Sequence, residues 1–208
     1  MSDTAYLPKK PSDTNDAQWK AITDPSQYLL IIAGPGTGKT HTLAYRIKHF
    51  VARLKDKQQI LAVTFTNKAA KEMHERIGLW NDPRPGVVFC ATFHSFCLKI
   101  LKEYFPKQLP VDFQVPSVQQ IEELSRQIWP SARAKDRRCY LDEISRSKAK
   151  NLTLSPMPWA QQYNDALLQK GWLDFDDLLY KTLHFLTAYP LICQEIRSQY
   201  PFIFVDEY

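Results

Sequence analysis

The stretch A-G-P-G-T-G-K-T at residues 33–40 places three glycines within five positions of a chain that has only 6 glycines in 208 residues. Alternating glycines clear side chains away from consecutive backbone N–H groups, and a concave run of such donors holds an anion. A lysine and a hydroxyl residue close the stretch. An apolar run at residues 28–32 precedes it and an amphipathic stretch follows, so the pattern reads as strand, glycine-rich loop and helix: a phosphate-binding loop for a nucleoside triphosphate. The N–H groups of Gly36, Gly38, Lys39 and Thr40 are expected to wrap the β-phosphate, in a nucleotide-binding loop that also contains Gly34 and Thr37. Lys39 is expected to reach the β- and γ-phosphates, and the Thr40 hydroxyl to hold Mg²⁺. Ala33 stands where the strict pattern has its first glycine.

The end of the chain offers the complementary group. The apolar run F-I-F-V at residues 202–205 predicts a buried strand, and Asp206 and Glu207 follow at its carboxyl end, where α/β sheets place their ligands. Two adjacent carboxylates there divide the work. Asp206 holds Mg²⁺ through water, and Glu207 polarises the water that attacks the γ-phosphate. The cofactors expected are therefore a nucleoside triphosphate and Mg²⁺, and the chemistry is hydrolysis; that the triphosphate is ATP follows from the resemblance given below.

Elements that could position these groups alternate over the first hundred residues. Strands are predicted at 28–33, 59–65 and 86–90, and helices at 38–54, 67–78 and 93–104, the rhythm of a parallel sheet flanked by helices. From Pro106 to Gly171 strand signals cease, prolines punctuate the chain and helical periodicity takes over, which reads as an all-helical insertion. D-F-D-D-L-L-Y-K-T-L-H-F-L and P-L-I-C-Q-E-I-R then lead back to the last strand. The division expected is 1–104, a first nucleotide-binding part; 105–172, a helical insertion; and 173–208, the return.

Composition narrows the setting. With 44% hydrophobic residues and 12% aromatic the chain can bury a sizeable core. No apolar stretch approaches the roughly 18 residues of a membrane span, and the first residues carry no signal-peptide core, so a cytoplasmic location is expected. Cys90, Cys97, Cys139 and Cys193 form no C-x-x-C pair. The net charge of +5 is concentrated between Ser131 and Lys150, where seven basic residues face three acids: either a solvated helix face or a surface for a polyanion.

Between the two nucleotide motifs lie residues that resemble a known family. V-T-F-T-N-K-A-A-K-E-M-H-E-R-I, from Val63, is similar to motif Ia of the UvrD/Rep/PcrA family of superfamily-one DNA helicases. A-T-F-H-S-F-C, from Ala91, resembles motif Ib; N-D-A-Q, from Asn15, resembles the Q motif; S-K-A-K-N-L-T-L-S-P and D-F-D-D-L-L resemble the insertion and its return. The likeness spans nearly the whole chain and implies a RecA-like P-loop NTPase α/β domain with an inserted all-helical subdomain. It implies a 3′ to 5′ helicase of DNA repair or replication, with single-stranded DNA as partner. Phe65, Thr66, Asn67, Lys68, Thr92, Phe93 and His94 become candidate DNA contacts, and Gln18 the reader of the adenine edge. Small hydroxyls, an amide and a lysine opening a helix suit phosphates, and Phe65 or Phe93 could stack on a base or lie in the core.

Two departures from the family stand out. His41 follows G-K-T where an arginine near the adenine is usual, which reduces the expected adenine selectivity. Family members also continue past D-E into another strand, a second insertion and a second RecA-like domain that completes the ATP site. By resemblance that next strand lies between the P-loop strand and the V-D-E strand, so these residues by themselves are expected to lack the middle of their sheet. Two readings of other classes share the P-loop: a non-catalytic nucleic-acid- or partner-binding remnant, and a small-molecule kinase, which leaves V-T-F-T-N-K-A-A unexplained.

Overall fold

The computed structural model describes residues 9–78, 86–150 and 157–206. The chain packs as two compact units, residues 1–92 with 195–208, and residues 93–194.

The first unit is α/β. Helix α1 (Asp16–Thr23) opens on a capping box in which the Asn15 side chain accepts from Gln18 N while the Gln18 side chain accepts from Asn15 N. Helix α2 (Lys39–Val51) starts from Gly38, whose φ of 83° places it in the left-handed region that glycine tolerates. Strand β1 (Ile60–Thr64) is buried along its whole length, as expected of a central parallel strand covered on both faces. Helix α3 (Asn67–Gly78) and strand β2 (Val88–Thr92) follow, and strand β3 (Phe202–Val205) joins from the far end of the sequence. The sheet order is β2-β1-β3, all parallel, with Thr64 level with Thr92 and Val63 level with Val205. Leu43, Ile47 and Phe50 of α2, with Met73 of α3, pack on Ile60, Ala62, Val88 and Phe204 to form the core.

Two expectations about this sheet are corrected. Residues 28–33 form no strand, and Leu30 and Ile32 are 71% and 88% exposed. The free edge of β3 is the reason: β3 pairs with β1 alone among the described residues, and a cleft of about 510 Å³ lined by Leu29–Ile31 and residues 201–206 lies where a ladder would have to form. A strand is stable only where its backbone groups find a neighbour. Nor is β3 buried throughout. Phe204 is buried, but Ile203 is 61% exposed.

The second unit is helical. It comprises α4 (Phe93–Tyr104), α5 (Val118–Ile128), α6 (Ala134–Ala149), α7 (Pro158–Gln169), α8 (Phe175–Ala188) and the first half of α9 (Pro190–Gln199). Leu124, Trp129, Ile144, Ala160, Tyr163 and Leu167 form its core. Lys148, counted in the basic stretch as a surface charge, is buried: its Nζ lies 2.6 Å from Asp174 Oδ2 and 3.0 Å from Asp177 Oδ1. Tyr163 Oη also donates to Asp174, at 3.1 Å.

Candidate nucleotide and nucleic-acid site

Positive φ values at Gly36 and Gly38, 73° and 83°, curl the loop after residue 33 into the start of α2. A Cβ on Gly38 would stand 2.9 Å from Gln18 Nε2, so a side chain there would displace the glutamine. Gln18 Nε2 in turn donates to Thr37 O at 3.0 Å, and the Thr37 hydroxyl donates to Gly34 O at 2.7 Å. Gln18 thus ties α1 to the loop with one end of its amide while capping its own helix with the other. The Lys39 ammonium donates to Ala33 O at 2.9 Å and Gly34 O at 3.0 Å, so it lies across the mouth of the loop, held by neutral acceptors that a phosphate oxygen would outcompete.

The carboxyl end of β3 brings the acid to the same place. Asp206 is buried, its N–H donates to Val63 O at 2.9 Å, and its Oδ2 accepts from the Thr40 hydroxyl at 3.1 Å. A hydroxyl and a carboxylate this close at the mouth of a phosphate loop are hard oxygen ligands of the kind Mg²⁺ takes, and the pair fits such an ion. Glu207 lies outside the described residues.

His41 sits in the first turn of α2 with its ring edge on Tyr45, centroids 4.8 Å apart at 71°, and its Nε2 3.3 Å from Asp13 Oδ2. That separation suits an ion pair when the imidazole is protonated, although the ring orientation gives no aligned hydrogen bond. Arg46, on the buried side of the same helix, donates to Ala21 O at 2.5 Å and Asp24 O at 3.0 Å, securing the last carbonyls of α1. Asp13 and Arg46 were not among the residues that the sequence singles out. The only signal for Arg46 is a charge inside the apolar stripe of Leu43, Ile47 and Phe50; Asp13 offers none.

The remaining candidates lie at the carboxyl end of β2 or just past the carboxyl ends of β1 and β2. Phe65, Thr66, Asn67 and Lys68 are exposed, and Phe65, at 76%, is no core residue. The Thr66 hydroxyl accepts from Ala69 N at 3.1 Å and its carbonyl accepts from the Thr64 hydroxyl at 2.9 Å, which fixes the turn into α3. Thr92 is buried at the end of β2. Phe93 and His94 open α4. Phe93 is exposed at 42%, and His94 is half-buried with its ring stacked on Phe175. Burial lowers the His94 pKa, with Asp176 opposing, so the ring favours its neutral form at neutral pH.

Comparison with known proteins places this geometry in a family. Residues 14–208 match the UvrD/REP helicase N-terminal domain. The chain is 33% identical to the ATP-dependent DNA helicase UvrD1 of Mycobacterium leprae over 93% of its own length and 28% of that protein. It is 30% identical to the ATP-dependent DNA helicase PcrA of Bacillus subtilis, over 95% and 29% of the two chains. Against DNA helicase II of Escherichia coli the identity is 32%, over 99% and 31%. The chain therefore spans about three tenths of the length of these relatives. Among its described residues no helix is long and apolar enough to cross a membrane. A match over residues 14–208, on an α/β sheet whose P-loop threonine meets a strand-end aspartate, makes this chain a member of the UvrD/REP helicase family, corresponding to its N-terminal domain.

Proposed function

We propose that the chain is the N-terminal, ATP- and single-stranded-DNA-binding part of an ATP-dependent 3′ to 5′ DNA helicase acting in the cytoplasm on repair or replication substrates. The observation that carries this reading is the Thr40–Asp206 hydrogen bond, which joins the phosphate loop to the acidic strand end across 166 positions of sequence. Lys39 and the loop N–H groups bind the phosphates, Gln18 and His41 face the base, and Thr40 and Asp206 would hold Mg²⁺. When bound, that ion neutralises phosphate charge. Glu207 takes the proton of the attacking water. Phe65–Lys68 and Thr92–His94 contact DNA. In this reading residues 1–104 and 173–208 belong to the RecA-like domain and 105–172 to the inserted helical subdomain.

The named activities of the relatives belong to chains more than three times as long. Residues 1–208 by themselves are expected to bind nucleotide and DNA without separating strands, because unwinding requires two domains that close on ATP and open after hydrolysis. Binding of a fluorescent ATP analogue with Mg²⁺ tests the assignment. Lys39→Ala should weaken affinity by about ten-fold or more, the value of one charge-assisted hydrogen bond. Glu207→Gln should leave affinity unchanged and remove whatever turnover the chain shows. Parental affinity in Lys39→Ala would overturn the phosphate-loop assignment.

A further inference from the structure

Helix α2 carries a second stripe besides the one that meets the sheet. Leu43, Ile47 and Phe50 pack into the core, whereas Tyr45 and His49, with Ala52 at the helix end, line a cavity of about 170 Å³. Its other walls are Trp19 and Ile22 of α1 and Pro11 of the segment before it. Ile22 is buried, Trp19 and Tyr45 are half-buried and Ala52 is exposed, so the cavity runs from between the helices out to solvent. The wall formed by Pro11 is held in place. Pro11 O accepts from Thr14 N at 3.2 Å and from the Thr14 hydroxyl at 2.8 Å, and the Lys10 ammonium pairs with Asp16 in the first turn of α1.

Size and lining narrow what can enter. A cavity of about 150 Å³ takes one benzene ring, whereas sites for drug-sized ligands run to roughly 300–1,000 Å³. The space here matches a single side chain. Pro11, Trp19, Ile22 and Ala52 offer mainly carbon, so a nucleobase would bring edge donors and acceptors that find no partner against those walls. A phenyl or isobutyl group brings none.

Charge around the opening is one-sided. Lys9 and Lys48 line the cavity and are exposed, and Arg53 Nη2 lies 3.0 Å from His49 Nε2. Among the described residues none of those lining the cavity is acidic. Asp13 and Asp16, the carboxylates of the neighbouring segment, are engaged by Tyr45 Oη and by Lys10. We infer that this cavity is a docking site for a partner protein, which it takes by one aromatic or branched aliphatic side chain carried on an acidic segment. A side chain that fills a preformed pocket dominates the energy of an interface, and opposite charge around it steers the encounter. The inference does not rest on the nucleotide or DNA readings, neither of which uses these residues.

The test uses the full chain at low salt with fluorescein-labelled peptides: Glu-Glu-Phe-Glu-Glu, the same peptide with alanine at its centre, and Lys-Lys-Phe-Lys-Lys. Anisotropy should show the acidic phenylalanine peptide binding about ten-fold more tightly than its alanine version, the order expected for burying one phenyl ring, and more tightly than the basic peptide. Ala52→Phe fills the cavity from the end of α2 and should abolish the difference between the phenylalanine and alanine peptides. Lys48→Glu should reverse the preference for the acidic over the basic peptide. Both positions are exposed, so each variant should keep the parental Tm and ATP-analogue affinity, which separates lost docking from misfolding. No binding of the acidic phenylalanine peptide, or equal affinity for it and its alanine version, would overturn the inference, as would an unchanged difference in a folded Ala52→Phe chain. Peptide that oligothymidylate displaces equally from the parent and from Ala52→Phe lies on a DNA surface, which also overturns it. Docking that appears only after residues 1–8 are deleted would assign the cavity to the chain's own Tyr6 and Leu7 and overturn the partner.

Discussion

The Thr40 hydroxyl and the Asp206 carboxylate meet at 3.1 Å, although one opens α2 and the other ends β3. The contact exists because the sheet is parallel: β3 runs beside β1 in a register that carries Asp206 past Val63 to the same edge as the phosphate loop. The two residues should therefore act as one unit in nucleotide binding. Thr40→Ala and Asp206→Ala are each expected to weaken the Mg²⁺-dependent part of ATP-analogue affinity, and the double variant to be weaker than either by less than the sum. Contacting pairs couple by about 0.5–3 kcal/mol. Strict additivity in a titration with and without Mg²⁺ would separate the two roles.

Lys68 opens α3 on the exposed turn after β1, with Glu72 one turn away at 3.9 Å. That pair is solvent-exposed and contributes little to stability. Neutralising Lys68 to Gln should lower the slope of log affinity against log salt for a single strand by about 0.7, the value of one phosphate contact. A weaker but equally salt-dependent complex would mean that Lys68 acts through the helix and not on DNA.

Much of this arrangement was legible because it is local. Glycine spacing located the loop, and period and turn residues located α3, α4 and β1 within a residue or two of their limits. What escaped was whatever depends on a neighbour distant in sequence. Residues 28–33 have every strand signal, yet a strand is a property of a pair, and the edge of β3 that faces them is free among the described residues. Lys148 reads as one more surface charge in a basic helix; only the fold shows two carboxylates from the next segments closing over it. Asp13 and Arg46 were invisible for the same reason, since one gains its meaning from His41 and the other from the carbonyls that end α1.

That buried network makes a stability prediction. Burial opposes the charge of Lys148, but the two carboxylates outweigh it and hold its pKa above the ordinary value; burial pushes the Asp177 carboxyl up. Lys148→Met would remove the buried cation that pairs with both acids and should cost about 3–5 kcal/mol. Adding Asp174→Asn and Asp177→Asn should restore most of the loss, because asparagine still caps a helix. Thermal unfolding followed by circular dichroism reads both, and a triple variant no more stable than Lys148→Met would show that the lysine matters for packing alone.

Acidification should destabilise the chain through its histidines. Burial lowers the pKa of both His94 and His49 below the ordinary value of about 6.5, with nearby arginines adding to the effect at His49. The unfolded chain then binds protons that the folded chain refuses, so their contribution is fully present above pH 6.5 and is lost as pH falls through the folded values. The raised Asp177 works in the opposite direction, so the parent's slope alone is not diagnostic. His49→Asn and His94→Asn should each flatten the fall in Tm between pH 7.5 and 5.5, and an unchanged slope in both would remove the histidines from the account.

The edge of β3 that is free among the described residues carries the last prediction. On one side β3 is paired with β1; on the other its backbone faces the cleft toward residues 29–31, and Ile203 stands exposed beside it. Leu30 and Ile32 are exposed across the same cleft. A row of unpaired N–H and C=O groups flanked by β-branched and aromatic side chains is a template for pairing with another chain, and F-I-F-V carries no charge to prevent it. Purified residues 1–208 should therefore associate in a concentration-dependent manner through this edge. Ile203→Lys should reduce that association, because a lysine on an edge strand must be desolvated before a second strand can dock. The same change should alter stability by no more than about 0.5 kcal/mol, since the side chain it replaces is already in water. Sedimentation over a range of concentrations measures the first effect and thermal unfolding the second. Association that persists unchanged in Ile203→Lys, with an unchanged Tm, would mean that the chain self-associates through another surface and that this edge is protected in solution.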